Sequence, residues 1–362
     1  QWFLDATGKP LPYMTAVISG RSVGVPGNLR LAEEAHERFG KLPWATLFEP
    51  AIKLARDGWV LSERGREFLV RAKNRAGHQP EGLALFYGAD GQPLPAGTVL
   101  RNPALADTLS QVAAHGAVWF YTGDNAKAIA REVAAETPRG GAMTPQDIAA
   151  YRAKLRPEVC GEYRGYRICG MGPPSSGATT VYAILKQLER FDLHALGPRS
   201  PTFWHLFAES QRLAYADRER YLGDTDFVSV PVKGLTDPAY LAARGNLISP
   251  DSTMPAVAAG TPTGIALAPP DGDEPDEHGT SHFVAVDDWG SAVSYTSTVE
   301  GSFGSGIMVG GYFLNNELTD FSFAPAGPDG RPVANRVEGG KRPRSSMAPT
   351  LVYDHDGHLF MT

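Results

Sequence analysis

Apolar residues recur at helical spacing through most of the first 220 residues, and several of these segments are bounded by residues that stop or start helices. Gly40 and Gly58 each directly follow the end of such a segment, where glycine is a common helix stop. Asp124, Thr144 and Ser176 precede other segments and are suited to cap a helix N-terminus. The pattern predicts helices over residues 28–39, 44–57, 126–135, 145–153, 181–191 and 202–221.

Alternation of period two replaces helical spacing after residue 280. Residues 280–287 alternate, an Asp-Asp-Trp-Gly turn follows, and alternation returns at 292–296, which is typical of a β-hairpin. A second hairpin is predicted around Arg164-Gly165, and further strands over 348–353 and 358–361. Helices early in the chain and strands later favour the α+β class.

Thr280 opens the 280–287 strand, and the segment before it is a loop. Residues 268–279 combine proline, glycine and acids without apolar periodicity, so we expect them to be exposed. If the bond between Gly279 and Thr280 were cut, Thr280 would gain an α-amine with a pKa near ~8. That amine could act as general base for the hydroxyl of the same residue. Taken alone, however, a threonine here is better explained by the strand preference of β-branched residues.

Composition limits the possible classes of function. The chain has 362 residues, 20% of them charged, and a net charge of −6 without any basic block, so we expect no nucleic-acid partner. No apolar run approaches the ~20 residues of a membrane span. The chain begins at Gln1 rather than at methionine, so the missing signal peptide says nothing about secretion.

The chain has two cysteines, Cys160 and Cys169. A two-residue turn at Arg164-Gly165 would place them opposite each other, close enough for a bridge. Two cysteines do not make a disulfide framework, so buried free thiols are the preferred interpretation and a disulfide is the alternative. We predict no metal site, because no cluster of Cys, His and Asp has ligand spacing.

Four motifs follow one another after residue 279: TSHFVAVD at 280–287, YTSTVEGSFGSG at 295–306, FLNNELTDFS at 313–322 and KRPRSSMAPT at 341–350. Together they closely resemble the small subunit of gamma-glutamyltranspeptidases, a family of N-terminal-nucleophile hydrolases. Upstream, GVPG at 24–27, PAIKLARDG at 50–58, YRGY at 163–166, PPSSG at 173–177 and AYADR at 214–218 resemble the large subunit. The resemblance runs essentially from end to end.

This resemblance implies a fold, a maturation step and a location. The fold would be a four-layer αββα sandwich. Residues 1–279 would be the large-subunit portion, and residues 280–362 the small-subunit portion that begins at the nucleophile. The chain would cleave itself between Gly279 and Thr280, the two subunits would stay associated, and no cofactor would be needed. A periplasmic or secreted location is implied as well.

The resemblance also gives roles to single residues. Thr280 would be the nucleophile, and the Thr298 hydroxyl would orient its amine. Ser345 and Ser346 would bind the α-carboxylate of the substrate. The alternative without a catalytic or binding role is that Thr280 and Thr298 are ordinary strand residues and that Ser345 and Ser346 form a polar turn after Pro343. Gly27, Pro173, Pro174, Ser175 and Ser176 are better explained as turn and cap residues than as catalytic ones.

Three acids complete the expected site. Glu317 and Asp320 would hold the α-ammonium of the substrate, although two charges three residues apart usually form a solvated helix face. Glu300 stands where family members commonly have asparagine, so a third carboxylate would join this ammonium pocket. Residues 324–333 lack the aromatic residue that covers the pocket in lid-bearing members, which implies a site open to water.

The expected activity is γ-glutamyl transfer from donors such as glutathione to water, amino acids or peptides. A glutaryl acylase of the same fold, as in cephalosporin acylases, is an alternative, but its substrate lacks the α-amine that the acids would bind. A second alternative is a non-catalytic homologue that never cleaves itself and acts as a binding or structural protein. The presence of both Thr280 and Thr298 argues against it. The family's carboxylate-binding arginine would precede Gln1 and its oxyanion-hole glycines would follow Thr362, so we expect a fragment truncated at both ends.

Overall fold

The computed structural model describes residues 2–138, 141–265, 267–272 and 279–362, and it contains helices and strands as the α+β class predicts. The helices are α1 Tyr13–Val17, α2 Asn28–Phe39, α3 Glu49–Asp57, α4 Glu63–Arg71, α5 Lys73–Ala76, α6 Pro80–Phe86, α7 Pro103–His115, α8 Val118–Tyr121, α9 Gly123–Ala135, α10 Pro145–Ala150, α11 Gly177–Leu188, α12 Leu193–Leu196, α13 Pro201–Tyr221, α14 Val232–Leu235 and α15 Pro238–Gly245. The strands are β1 Trp59–Val60, β2 Val99–Leu100, β3 Glu158–Tyr163, β4 Tyr166–Met171, β5 Ser281–Val286, β6 Ala292–Ser297, β7 Met308–Val309, β8 Tyr312–Phe313, β9 Thr350–Tyr353 and β10 Leu359–Met361.

The predicted helices over 28–39 and 202–221 are confirmed as α2 and α13. The predicted helix over 44–57 is wrong in its first part, because Trp44–Phe48 forms a 3₁₀ turn and the α-helix α3 begins only at Glu49. Pro50 explains the break, since proline is tolerated in the first turn of an α-helix but not in its interior.

The boundaries of three further helices differ from the prediction. Helix α9 begins at Gly123, so Asp124 lies in its first turn rather than at its cap. Thr144 caps α10 as predicted, but the helix ends at Ala150 instead of 153 because the backbone of Tyr151 is extended. The Tyr151 ring stacks on Tyr121, with ring centroids 6.2 Å apart. Helix α11 covers residues 177–188 instead of 181–191.

One four-stranded antiparallel sheet, in the order β10-β9-β4-β3, joins distant parts of the chain. The predicted turn between β3 and β4 is confirmed, and both Arg164 and Gly165 have positive φ, at 50° and 84°. Two positive φ values are the requirement of a type I′ hairpin turn. Strand β4 also pairs with β9, so the sheet connects residues near 168 with residues near 352.

Cys160 and Cys169 form a disulfide, so the preferred interpretation of free thiols is wrong. The two residues pair directly across β3 and β4, and their Cα atoms are 4.1 Å apart. Directly opposed residues in an antiparallel pair are close enough for a bridge. The register of this hairpin brings the two sulfur atoms together, and a count of cysteines does not contain that information.

Helix α11 packs on β3 and β4 and is itself covered by α13 and α15. Side chains of these elements form one apolar core with Tyr182, Leu206, Leu213 and Leu241. A second core contains Val112, Ile129, Val133 and Ile148, together with Ile307 and Leu314 from the part of the chain after residue 280. Burial of apolar area therefore joins the two proposed subunit portions.

The loop before Thr280 is exposed at Asp271 and Gly279, as expected, but Pro270 is buried. Pro270 packs against Gly327, where a β-carbon would lie 2.4 Å from the Pro270 side chain. Residues 273–278 of this loop lie outside the described residues. Within the part of the chain that the structure describes, no helix is long and apolar enough to cross a membrane.

Candidate active site

The predicted hairpin after residue 280 is confirmed as β5 and β6, and its geometry determines which side chains point the same way. Ser281 pairs with Ser297, and His282 pairs with Thr296. Side chains of a strand alternate between its two faces. The hairpin therefore places Thr280 and His282 on one face with Thr296 and Thr298 of the neighbouring strand.

This face forms one wall of a cavity of ≈ 350 Å³. The other walls come from the segment after β6, from a 3₁₀ turn and from the segment before β9. The lining residues are Thr280, His282, Thr296, Thr298, Glu300, Asp320, Ser345, Ser346, Met347 and Ala348. Six of the seven side chains for which the resemblance implies a role are thus brought together, and Glu317 is the exception.

Thr298 lies directly at the bond that is expected to be cut. Its hydroxyl donates a hydrogen bond to the carbonyl oxygen of Gly279 at 2.8 Å and accepts one from the backbone N–H of Glu300 at 2.8 Å. Gly279 has a φ of 79°, in the region that favours glycine. In the uncut chain the hydroxyl is therefore held at the carbonyl on the N-terminal side of Thr280.

Glu300 is buried, with 4% of its surface exposed, and has a φ of 69°. Its Oε2 atom accepts hydrogen bonds from the side-chain amide of Asn316 and from the Tyr13 hydroxyl, the latter at 3.4 Å. Burial, followed by the charge of Glu300, raises the pKa of the Tyr13 hydroxyl above its usual range. The tyrosine therefore keeps its proton and remains a hydrogen-bond donor to this carboxylate.

Glu317 and Asp320 lie on the 3₁₀ turn Glu317–Asp320, and of the two acids only Asp320 lines the cavity. The turn is held by Asn315, whose Oδ1 atom accepts hydrogen bonds from the N–H of Gly24 at 2.9 Å and of Glu317 at 3.1 Å. The Asn315 amide also donates to the Gly24 carbonyl at 2.9 Å. The GVPG segment thus fixes the turn that carries Asp320.

Ser345 and Ser346 are held against the PPSSG segment. The N–H of Ser176 donates to the carbonyl of Ser345 at 2.8 Å, and the N–H of Ser345 donates to the carbonyl of Pro174 at 3.2 Å. The Ser175 hydroxyl donates to the carbonyl of Met347. This segment therefore builds one wall of the cavity.

The prediction that Ser176 is a helix cap is wrong for its side chain. Ser176 precedes α11 but makes no side-chain cap hydrogen bond. Its hydroxyl instead accepts a hydrogen bond from Nε of the buried Arg218 at 2.9 Å. A long-range contact takes the place of the local cap.

The family model described as gamma-glutamyltranspeptidase matches residues 1–362 of this sequence. The chain belongs to the gamma-glutamyltranspeptidase family. The glutathione hydrolase proenzyme of Bacillus subtilis (strain 168) is 38% identical over 366 residues, which cover 98% of this chain and 60% of the relative. The Acylase ACY 1 proenzyme of Pseudomonas sp. (strain V22) is 35% identical over 337 residues, covering 92% and 56%. The crystal structure of Helicobacter pylori gamma-glutamyltranspeptidase has a TM-score of 0.65 at 37% identity, covering 70% of this chain and 71% of that one.

The resemblance seen in the motifs is thereby confirmed at the level of the family. The chain spans about 60% of the length of the Bacillus subtilis relative. The activity, substrates and partners of the whole protein are therefore proposals.

Other residues of this family member were not predicted for the site. His282 and Thr296 line the cavity, and the His282 Nδ1 atom is 2.8 Å from the Thr296 hydroxyl. Alternation from Thr280 would have identified His282, because residues two apart share a strand face. Tyr13 gave no such signal, since it meets Glu300 across 287 residues of chain.

The structure brings one group of three potential metal ligands together in the described residues, at Asp354, Asp356 and His358. The expectation that ligand spacing is lacking is therefore wrong for this turn. Asp354 accepts hydrogen bonds from the N–H groups of Asp356 and His358, both at 2.9 Å, and these bonds lower the pKa of its carboxyl. The three residues form the turn between β9 and β10 and do not line the cavity.

Proposed function

We propose that the protein containing this chain is a self-processing gamma-glutamyltranspeptidase, which transfers the γ-glutamyl group of donors such as glutathione to water, amino acids or peptides. The observation that carries the proposal is the cavity at the Gly279–Thr280 bond. Its wall combines a potential nucleophile, two carboxylates and two serines. An amide, an ammonium and a carboxylate of one substrate would each find a suitable partner there.

Maturation begins with attack of the Thr280 hydroxyl on the carbonyl carbon of Gly279. The C–N bond breaks, the nitrogen takes up the hydroxyl proton, and Gly279 becomes an ester of Thr280. Water then hydrolyses the ester, leaving a carboxylate on Gly279 and a free amine and hydroxyl on Thr280. The hydrogen bond from Thr298 to the Gly279 oxygen supports this step, because it strengthens as negative charge develops on that oxygen.

In the processed enzyme the α-amine of Thr280 serves as general base for its own hydroxyl. The oxygen attacks the γ-amide carbon of the donor, the amine takes the hydroxyl proton and passes it to the leaving nitrogen, and an acyl ester forms. Water or an acceptor amine then loses a proton to the Thr280 amine and attacks the ester. The acyl group leaves, and the Thr280 hydroxyl takes back a proton. Thr298 would orient the Thr280 amine during both formation and breakdown of the acyl ester. No cofactor would be required.

Two groups of side chains would recognise the γ-glutamyl donor. Glu300 and Asp320 line the cavity and would hold the α-ammonium, with Glu317 adding its charge from the same 3₁₀ turn. Ser345 and Ser346 would donate hydrogen bonds to the α-carboxylate. Carboxylates on one side of the cavity and hydroxyl donors on the other would favour a substrate that carries both groups on one carbon.

The proposed subunit portions are residues 1–279 and 280–362, arranged as the four-layer αββα sandwich of N-terminal-nucleophile hydrolases. They would stay associated after cleavage, because Ile307 and Leu314 share an apolar core with Val112 and Ile129. The disulfide of the β3–β4 hairpin supports a periplasmic or secreted location, since disulfides persist in oxidising compartments.

The test is the intact mass of the full-length protein after storage, followed by turnover of a γ-glutamyl anilide. We expect two polypeptides with the break between Gly279 and Thr280, and release of the aniline. Thr280→Ala should remain one polypeptide, whereas Thr280→Ser should cleave slowly. A Thr280→Ala protein that splits at this bond contradicts the proposed maturation, and a wild-type protein that never splits supports the non-processing homologue.

A glutaryl acylase is the second candidate, because one relative is named an acylase. A glutaryl group lacks the α-amine and would offer no ammonium to Glu300 and Asp320. A hydrogen bond between charged groups typically contributes about 1.5–3 kcal/mol, which the glutaryl group would forgo. We therefore expect a higher kcat/KM for γ-glutamyl than for glutaryl anilide, and the reverse order would favour the acylase.

A further inference from the structure

A buried arginine holds the serine pair of the cavity wall. Arg218 lies near the end of α13 and is only 2% exposed. Its Nη2 atom donates a hydrogen bond to the Ser346 hydroxyl at 2.7 Å, and its Nε atom donates to the Ser176 hydroxyl at 2.9 Å. One guanidinium thus connects α13, the start of α11 and the cavity wall.

The hydrogen bond to Ser346 has only one possible direction. Arginine has five N–H donors and no acceptor, so the Ser346 oxygen must be the acceptor. The proton of the Ser346 hydroxyl is therefore turned away from the guanidinium. A carboxylate can only accept hydrogen bonds, so it requires a hydroxyl whose proton is oriented in this way.

The charge of Arg218 acts in the same direction. A carboxylate that accepts a hydrogen bond from Ser346 would lie about 4–6 Å from the guanidinium, where opposite charges still attract each other strongly in a partly desolvated site. The arginine would not need to touch the substrate to have this effect. Its charge would reach the substrate through the hydroxyl that it polarises.

The backbone of the serine pair is fixed independently. The N–H and carbonyl groups of Ser345 bond to Pro174 and Ser176, so the main chain holds its position without Arg218. Arg218 instead bonds to the side chain of the next residue, Ser346. Loss of Arg218 should therefore change the hydroxyl of Ser346 more than it changes the path of the chain.

We propose that Arg218 is a positioning residue for carboxylate recognition, which fixes Ser346 as a hydrogen-bond donor towards the cavity. The inference rests on the proposed function for the identity of the substrate, a γ-glutamyl donor. Arg218 should thus act on the α-carboxylate of that donor and not on its amide or its ammonium.

The experiment compares two anilides in the full-length, processed enzyme. A γ-glutamyl anilide carries the α-carboxylate, and a 4-aminobutanoyl anilide differs from it only in lacking this group. Arg218→Gln should lower kcat/KM for the γ-glutamyl anilide about ten- to a hundredfold, mainly through KM, because a hydrogen bond to a charged group is lost. Turnover of the 4-aminobutanoyl anilide should change less than about threefold. Arg218→Lys keeps the charge and one donor, and should fall between wild type and Arg218→Gln.

Arg244→Gln is the matched control. Arg244 is also a buried arginine packed on α13, with an ion pair to Asp217 at 3.3 Å and a hydrogen bond to the carbonyl of Leu213 at 3.1 Å, but it does not line the cavity. Its loss should lower the melting temperature and leave the ratio of the two donors unchanged. An equal loss for both donors in Arg218→Gln would show that Arg218 serves only folding.

A milder variant and a binding assay complete the test. If Arg218→Gln does not fold, Ser176→Ala removes one anchor of the guanidinium without deleting the charge, and it should give a smaller loss confined to the γ-glutamyl donor. Calorimetry with L-glutamate and 4-aminobutanoate measures the carboxylate preference without turnover. A wild-type enzyme that prefers glutamate but cleaves no γ-glutamyl anilide refutes the proposed function alone. An unchanged glutamate affinity in Arg218→Lys and Ser176→Ala overturns the role of Arg218.

Discussion

Thr298 shows at the scale of one residue how a side chain can serve two stages of the proposed reaction. In the uncut chain its hydroxyl donates to the Gly279 carbonyl and accepts from the N–H of Glu300. Of the two carbonyl oxygens that can accept from this hydroxyl, that of Gly279 at 2.8 Å is nearer than that of Glu300 at 3.4 Å. In the proposed maturation that carbonyl would depart, and the same hydroxyl would then face the new amine of Thr280.

This geometry gives a prediction for self-cleavage. Thr298→Ala should slow conversion of the full-length protein by about 10²–10³-fold, the usual effect of losing one donor to a developing oxyanion. Thr298→Ser should largely restore the rate. The measurement is the half-time of conversion on a denaturing gel. Ser297→Ala is the control, since the neighbouring hydroxyl bonds only to the side chain of Asn28 in the described residues and should not affect the rate.

The residues of the site differ in how far the sequence could predict them. Thr280 and the serine pair stand in motifs, so the family resemblance was enough to select them. His282 follows from strand alternation. Arg218 reaches Ser346 across 128 residues, and no local pattern records a contact at that distance. Glu317 shares a motif with Asp320 but does not line the cavity. The sequence could not predict this difference, because residue spacing alone does not show which way a 3₁₀ turn faces.

At the scale of elements, local sequence signals predicted the existence of helices and strands better than their boundaries. The two hairpins formed where alternation and turn residues agreed. In contrast, α3 begins at Glu49 with Pro50 in its first turn, and α10 ends before Tyr151, whose ring stacks on Tyr121. Such changes come from tertiary contacts and the covalent limits of proline, both of which can override apolar spacing. The β4–β9 pairing joins strands that no turn connects, so it lay beyond any local pattern.

The disulfide gives a prediction at this scale. It joins residues nine positions apart and so closes a short loop, for which chain-entropy arguments give a stabilisation of about 2–3 kcal/mol. Addition of a reductant should therefore lower the melting temperature of the full-length protein. A Cys160→Ser, Cys169→Ser double variant should melt at the lower temperature and show no response to the reductant. Identical melting of the wild type with and without reductant would contradict this stabilisation.

At the scale of the whole molecule, access of water to the cavity would decide the fate of the proposed acyl-enzyme. Residues 324–333 contain no aromatic side chain, and none of the described residues that line the cavity comes from this segment. The segment folds back on itself, with the N–H of Gly327 donating to the carbonyl of Arg331 at 2.9 Å. Arg331 in turn donates to the carbonyl of Ala268 at 2.8 Å, which ties the segment to the loop before the cleavage site.

A segment anchored in this way does not cover Thr280, and the proposed acyl ester should be open to water. We therefore expect hydrolysis to dominate at neutral pH, and glycylglycine to raise donor turnover by less than about tenfold. The measurement is the rate of aniline release with and without glycylglycine, together with the ratio of free glutamate to γ-glutamyl-glycylglycine. Thr280→Ala provides the blank. A tenfold or greater increase would mean that water reaches the ester slowly, and a cover for the cavity would then have to come from outside residues 324–333.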